Sequence, residues 1–246
     1  MGRNTNTQKA ISFTTISAFG PNAAEPHYVP RPRAQARLSS GNLLLLDSGG
    51  QYAGGTTDIT RTIAIGQPTD AMKRDFTAVL RGHVALACAR FPHGVFSCQL
   101  DTLARAPLWD IGSDYGHGTG HGVGFCLSVH EGPVSISARA AAIESSRIVP
   151  GLVLSNEPGV YRTGHWGIRT ENLVTPVADP QPSDGPFLRF ETLSLCPVDT
   201  RLIRHAMLGP SELLWINTYH RRVRETLVHR VSPRAQRWLE RATEIV

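Results

Sequence analysis

Apolar positions along the chain recur with two different periods. From Ala10 to Leu46, short β-prone runs alternate with proline and glycine breaks, as in "ISFTTISAFGPNAAEPHYVP", which predicts strands and turns with no long helix. "NLLLLDSG" and "TTDITRTIAIG" read as two strands joined by the "GGQYAGG" turn. After Pro68 the period lengthens. Phe76, Val79, Leu80, His83, Val84 and Ala87 fall at i, i+3, i+4 spacing, with Thr69 placed to cap a helix. A second helix is expected from about Cys98 to Trp109 on Leu100, Leu103, Ala104 and Leu108, with Pro107 ending or kinking it.

Residues 110–133, "DIGSDYGHGTGHGVGFCLSVHEGP", carry too much glycine for a helix and read as a loop feeding a strand. "IVPGLVLSNEPGVY", "HWGIRTENLVTPV" and "FLRFETLSLCPVDTRLI" supply further strands. The last 36 residues look helical on Leu213, Leu214, Ile216, Val223 and Leu227, with Pro233 breaking the run. No repeat of solenoid period is visible. These elements define an α+β fold with strands grouped in the middle of the chain.

Composition narrows the classes. A chain of 246 residues that is 41% hydrophobic and 18% charged can bury a sizeable core. The net charge of +5 comes from scattered arginines. The clusters "RPRAQAR" and "HRRVRE" lack the interleaved aromatics of a nucleic-acid module, so no nucleic-acid partner is expected. No stretch approaches the roughly 20 apolar residues of a membrane span, so no membrane partner is expected either. Four cysteines without a C-x-x-C pair point to a reduced, cytoplasmic compartment. The N-terminus has no apolar secretion core, and Asn6 stands where myristoylation needs Ser or Thr.

Five polar groups sit in apolar, strand-like contexts: Asp47 after "LLLL", Asp58 in "TTDIT", His121 in "GHGVGF", Glu157 in "LSNEPG" and Glu171 in "GIRTENLV". Each alone reads as a turn or cap residue. Together they call for another account, because a buried carboxylate is costly unless paired or bound to a metal. Four carboxylates and one imidazole suit two divalent ions such as manganese better than a thiolate-rich zinc site. "GHGTGHGVG" lacks the strand, helix and downstream acid of a dinucleotide loop. Nor is it a helical zinc-protease motif, since glycines rather than a glutamate separate its histidines.

In order and near-family spacing, "GPNAAEPHY", "DSGGQYAGGTTDITRT", "HGTGHGVGFCLSVHEGP", "NEPGVY", "GIRTENLV" and "FETLSLCPVDT" resemble the aminopeptidase P group of X-Pro metallopeptidases. The resemblance runs from about Phe13 to Thr243. It implies the pita-bread fold, a curved, mainly antiparallel sheet covered by helices. It makes Asp47, Asp58, His121, Glu157 and Glu171 the metal ligands, with Asp58 bridging two ions. It places His27, His117 and His130 near substrate, and it suggests that Arg169 orients Glu171.

The implied reaction is hydrolysis of the first residue from peptides whose second residue is proline, through a hydroxide held between two metal ions. Glu157 would act as general base, with His130 and His27 on the scissile carbonyl and the leaving nitrogen. Proline selectivity comes from the resemblance alone. A prolidase-like dipeptidase, a non-catalytic pita-bread binding protein and a metal-free creatinase-like hydrolase are the alternatives. Residues 1–12 show no apolar period, so 13–246 reads as a catalytic domain incomplete on its N-terminal side. The family's separate N-terminal domain, which contributes to some homo-oligomers, is expected to be absent.

Overall fold

The computed structural model describes residues 8–31, 35–181 and 184–246. Residues 1–7 of the non-periodic N-terminal segment lie outside the described part. Its remainder contributes strand β1 (Gln8–Ile11). The chain continues through β2 (Ile16–Phe19), β3 (Asn42–Ser48), β4 (Gly50–Tyr52), β5 (Gly55–Thr56) and β6 (Ile59–Ile65). Helix α1 (Asp70–Ala87), β7 (Arg90–Pro92) and α2 (Cys98–Trp109) follow. Then come β8 (Gly120–Gly122), β9 (Glu131–Ile136), β10 (Leu154–Asn156), β11 (Gly159–Arg162), β12 (Trp166–Arg169), β13 (Asn172–Ala178) and β14 (Phe187–Thr192). Helices α3 (Pro210–Leu227) and α4 (Pro233–Ala242) close the chain.

Every strand pairing is antiparallel. One sheet has the order β2-β3-β6 and a larger one β7-β14-β13-β10-β8-β9. The hairpin β11-β12 and the small sheet β1-β4-β5 stand beside them. The expected pairing of "NLLLLDSG" with "TTDITRTIAIG" is the β3-β6 ladder, whose register sets Asp47 against Thr60. The "GGQYAGG" connection is more than a turn, since β4 and β5 form a hairpin of their own with β1 alongside.

Side chains alternate along a strand, so Leu43, Leu45 and Asp47 share one face of β3, and all three are buried. Behind this face α1 packs Phe76, Val79 and Leu80 against Leu43, Ala64 and Ile168. A second cluster joins α2 to the larger sheet through Leu100, Ala104, Ile136, Leu154, Val174 and Phe190. The two helices cross at Gly82, where an added Cβ would lie 2.2 Å from the Ala104 carbonyl oxygen. Close packing of both helices on the sheets fixes the backbone from which the site residues project.

The caps follow the sequence. Thr69 accepts a hydrogen bond from the Met72 amide, which satisfies one open donor at the start of α1. Pro233 takes the first position of α4, where its missing N–H costs nothing. Helix α2 has the expected bounds, Cys98–Trp109, and ends two residues after Pro107. The proline lies in the last turn, so only the Leu103 carbonyl loses a partner, on a residue that is 40% exposed. Among the described residues, no helix is long and apolar enough to cross a membrane.

Two histidines are buried and held neutral. Burial, reinforced by the Arg61 charge, lowers His83 to about 3. Burial with Arg61 and Arg224 lowers His220 to about 4. Unfolded histidine titrates near 6.5, so below that pH the unfolded chain takes up protons that the fold excludes. Their contribution to stability is therefore complete above about pH 6.5 and is lost as the pH falls towards 4. Between pH 7 and pH 5 these two histidines pull the thermal midpoint of metal-free protein down, while Asp47, raised to about 6, pulls it up as it takes up its proton in the fold. H220Q, whose side-chain oxygen can still accept from the Val198 amide, should remove one of the two downward pulls; an unchanged slope of midpoint with pH would refute the assignment.

Candidate metal centre

Five strands and their ends supply the site. Asp47 ends the buried face of β3, and Asp58 stands just before β6. His121 is the middle residue of β8, Glu157 follows β10, and Glu171 precedes β13. The strands can approach this closely because β8 carries glycine. A Cβ on Gly120 would lie 1.9 Å from the Ser155 carbonyl oxygen, so only glycine lets β8 lie against the strand that leads into Glu157.

All five residues line one cavity of about 280 Å³ together with His27, His117, His130 and Arg169. Ligand atoms of Asp58, His121 and Glu171 lie within 4.8 Å of one another. The His121 Nδ1–H donates to the Gly122 carbonyl at 2.9 Å, which leaves Nε2 facing Glu157 at 3.2 Å and Asp58 at 3.5 Å. Ser155 steadies both partners, because its hydroxyl accepts from the His121 amide and donates to Glu157. Among the described residues the Glu171 carboxylate accepts one hydrogen bond, from the Thr60 hydroxyl at 2.8 Å.

Arg169 does something other than the sequence suggests. Its guanidinium bonds Asp47 at 2.6 Å and the Tyr161 hydroxyl at 2.8 Å, and it reaches Glu171 only by way of Thr60. The reason is local. β12 ends at Arg169 and β13 begins at Asn172, so the two residues do not share one continuous strand face. Tyr161, having accepted from Arg169, donates to His117 Nε2 at 2.8 Å. Asp47, Arg169, Tyr161 and His117 thus form one connected line along the cavity wall. Thr60, Ser155 and Tyr161 had no role in the sequence reading, although "TTDIT" and "NEPGVY" flagged their neighbourhood.

The electrostatics show what the site lacks. Burial raises Asp47 to about 6 against the pull of Arg169, and the Asp58 charge adds to the rise. Burial and the charges of Glu157, Asp58 and Asp47 raise Glu171 well above the carboxylate range. Burial alone would lower His121, but hydrogen bonds with Asp58 and Glu157 outweigh it and push the imidazole up to about 11. Burial opposes ionisation of Glu157, yet His121 holds it down at about 2. A proton on His121 therefore supplies positive charge that the carboxylates demand.

The residues fit divalent cations. Asp47 Oδ1, Asp58 Oδ1 and Glu171 Oε1 are buried carboxylate oxygens without a hydrogen-bond partner among the described residues. An unpartnered buried carboxylate oxygen is a costly feature in a fold, and a hard cation satisfies it. Neutral His121, donating from Nδ1, offers the lone pair of Nε2 towards the same space.

A curved antiparallel sheet packed by helices and carrying this donor set defines the class, and comparison with known proteins agrees. The chain belongs to metallopeptidase family M24, whose model matches residues 2–176, and the model of that family's C-terminal region matches residues 186–246. The fold is the pita-bread fold. The chain is 45% identical over 245 residues to Aminopeptidase P1 of Arabidopsis thaliana, covering 97% of this chain and 37% of that protein. It superposes with a TM-score of 0.92 on the X-prolyl aminopeptidase of Caenorhabditis elegans, a cytosolic enzyme with a di-nuclear active site. That match is 40% identical and covers 98% of this chain and 40% of the other. The prolidase of Pyrococcus furiosus matches with a TM-score of 0.62 and 32% identity, over 69% of this chain and 48% of its own. The chain thus spans little more than a third of the length of the plant relative.

Opposite effects are expected from one substitution. E171Q removes a charge that the metal-free fold already disfavours, so metal-free E171Q should melt at or above the wild-type temperature. The rise in melting temperature on adding Mn²⁺ should be lost with it. Thermal shift with and without Mn²⁺ measures both, and an undiminished Mn²⁺ shift in E171Q would exclude Glu171 as a ligand.

Proposed function

We propose that residues 13–246 are the catalytic region of a metal-dependent X-Pro aminopeptidase that removes the first residue from peptides with proline in second position. The observation that carries this reading is the convergence of Asp47, Asp58, His121, Glu157 and Glu171 on one cavity, with three carboxylate oxygens unpartnered. The similarity to aminopeptidases P, rather than any feature of the cavity, supports the choice of proline.

In this reading Asp47, Asp58, His121, Glu157 and Glu171 would hold two divalent ions, manganese first among them. The ions, when bound, supply Lewis-acid charge at the substrate carbonyl and lower the pKa of water. Everything else falls to the side chains. Glu157 takes the proton of the attacking water on its carboxylate, held in place by Ser155 and His121. His130 stands beside His121, ring centroids 4.3 Å apart, where it can donate a hydrogen bond to the scissile carbonyl. Burial lowers its pKa below the ordinary histidine value, which favours a ring that offers an N–H without a full charge.

His27 lines the same cavity and in this reading would meet the leaving nitrogen. As the carbon–nitrogen bond breaks, the proton taken by Glu157 passes to the proline nitrogen, which leaves as a secondary amine. His117, tied through Tyr161 and Arg169 to Asp47, keeps that carboxylate's free oxygen directed at the cavity. In this reading Asp47 and one of the ions would sit close to the peptide's N-terminal amine. A cytoplasmic location is part of the proposal and is supported by the cytosolic nematode relative.

The test is release of the N-terminal residue from an X-Pro-Pro peptide by protein supplied with Mn²⁺. H130A should lower turnover by about 10²–10⁴-fold, the range of a lost acid–base or carbonyl contact. D58N should abolish turnover and Mn²⁺ uptake together. Undiminished activity in D58N would sink the reading, whereas cleavage of X-Pro dipeptides in preference to longer peptides would favour a prolidase-like dipeptidase.

A further inference from the structure

His83 lies on α1, outside the cavity, and has no part in the reaction above. Its ring is fully buried and touches two asparagines, each the chain neighbour of a site glutamate. Nδ1 is 3.1 Å from the carbonyl oxygen of Asn156, and Nε2 is 3.0 Å from the side-chain amide of Asn172. Asn156 returns a third bond, its amide donating to the His83 carbonyl at 2.9 Å.

The neighbours decide the proton's position. Asn172 Oδ1 accepts from Arg61 at 2.7 Å and from the Tyr219 hydroxyl at 3.2 Å, so its NH₂ faces the imidazole. Nε2 must then accept, and Nδ1 carries the hydrogen and donates to Asn156. A neutral ring in this one tautomer completes every bond. A second proton on Nε2 would lie against the Asn172 NH₂ group, although the Thr170 backbone offers the ring a further acceptor.

Asn156 and Asn172 are direct partners in the β10-β13 ladder. Glu157 follows the first and Glu171 precedes the second, so both glutamates leave the antiparallel pair at the same end. β10 is only three residues long. A slip of one residue in this ladder would turn the side chains of one strand to the other face and separate the two carboxylates.

We infer that His83 is a positioning residue for the metal centre, clamping Asn156 against Asn172 from the helix side so that Glu157 and Glu171 are presented together. Arg61 and Tyr219 extend the clamp. Arg61 donates to the Glu171 carbonyl and to Asn172, and Tyr219 on α3 binds both Arg61 and Asn172. A histidine that only filled the core would be replaceable by leucine without consequence for the cavity. The inference rests on the metal-centre reading.

The experiment is calorimetric titration of metal-free protein with Mn²⁺ alone, beside circular dichroism and thermal melting of each variant. H83L keeps the bulk and removes both ring bonds, and it should remain folded while binding Mn²⁺ about 10–100-fold more weakly. H83N and H83Q each offer a polar atom near one of the two ring nitrogens and should fall between H83L and wild type. They also serve if H83L does not fold. Wild-type Mn²⁺ affinity and stoichiometry in folded H83L, or in both polar variants, would overturn the inference and leave the metal centre standing. No Mn²⁺ uptake by the wild type would overturn both.

Discussion

Four carboxylates share one small cavity, and their mutual repulsion is the constraint on which the rest of the structure depends. Two unit charges about 4 Å apart repel by about 4 kcal/mol at the effective dielectric typical of protein sites, a large part of the roughly 5–15 kcal/mol that holds a domain together. The fold meets this with one buried guanidinium, Arg169, and by shifting protons onto Glu171, Asp47 and His121. Bound cations relieve the same strain more completely, because they also satisfy the oxygens left without a donor. The need for a metal is therefore visible in the protein's own electrostatics.

Holding such a cluster requires a rigid frame. Asp47 and Asp58 are fixed by the β3-β6 ladder, while His121, Glu157 and Glu171 come from β8, β10 and β13 of the larger sheet. Helices α1 and α2 close the back of these sheets with two apolar clusters. Polar pins cross between them where the strands are shortest. Arg61 illustrates the principle: it is buried without a carboxylate partner among the described residues, and besides Asn172 and Tyr219 it donates to the carbonyls of Thr60, Glu171, Cys196 and Pro197. It thereby ties the C-terminal region to the strands that carry the site.

The kinship with metallopeptidases agrees with this arrangement at two levels. The fold matches along nearly the whole chain, and the four acids and the imidazole fall within residues 47–171, inside the part matched by the family model. The relatives are much longer, so the centre and its supports are concentrated in a segment that makes up little more than a third of such a protein.

Much of this was legible in the residues themselves. The alternation of Leu43, Leu45 and Asp47 placed an acid on a buried face, and the i, i+3, i+4 spacing around Phe76 and His83 gave α1, because these patterns reflect the fixed periods of strand and helix. Apolar context singled out the five ligand candidates, since burying a carboxylate is costly wherever it occurs. Tertiary structure decided the partners. Arg169 sits two residues from Glu171 yet binds Asp47, because the chain breaks between β12 and β13. Pro107 was tolerated because it fell in a helix's last turn. His83 looked like one more residue on an apolar stripe, and only the packing of α1 behind the β10-β13 ladder brings its ring to Asn156 and Asn172. Period and burial cost act along the chain and can be read from it, whereas a hydrogen-bond partner 73 or 89 residues away is chosen only when the strands have met.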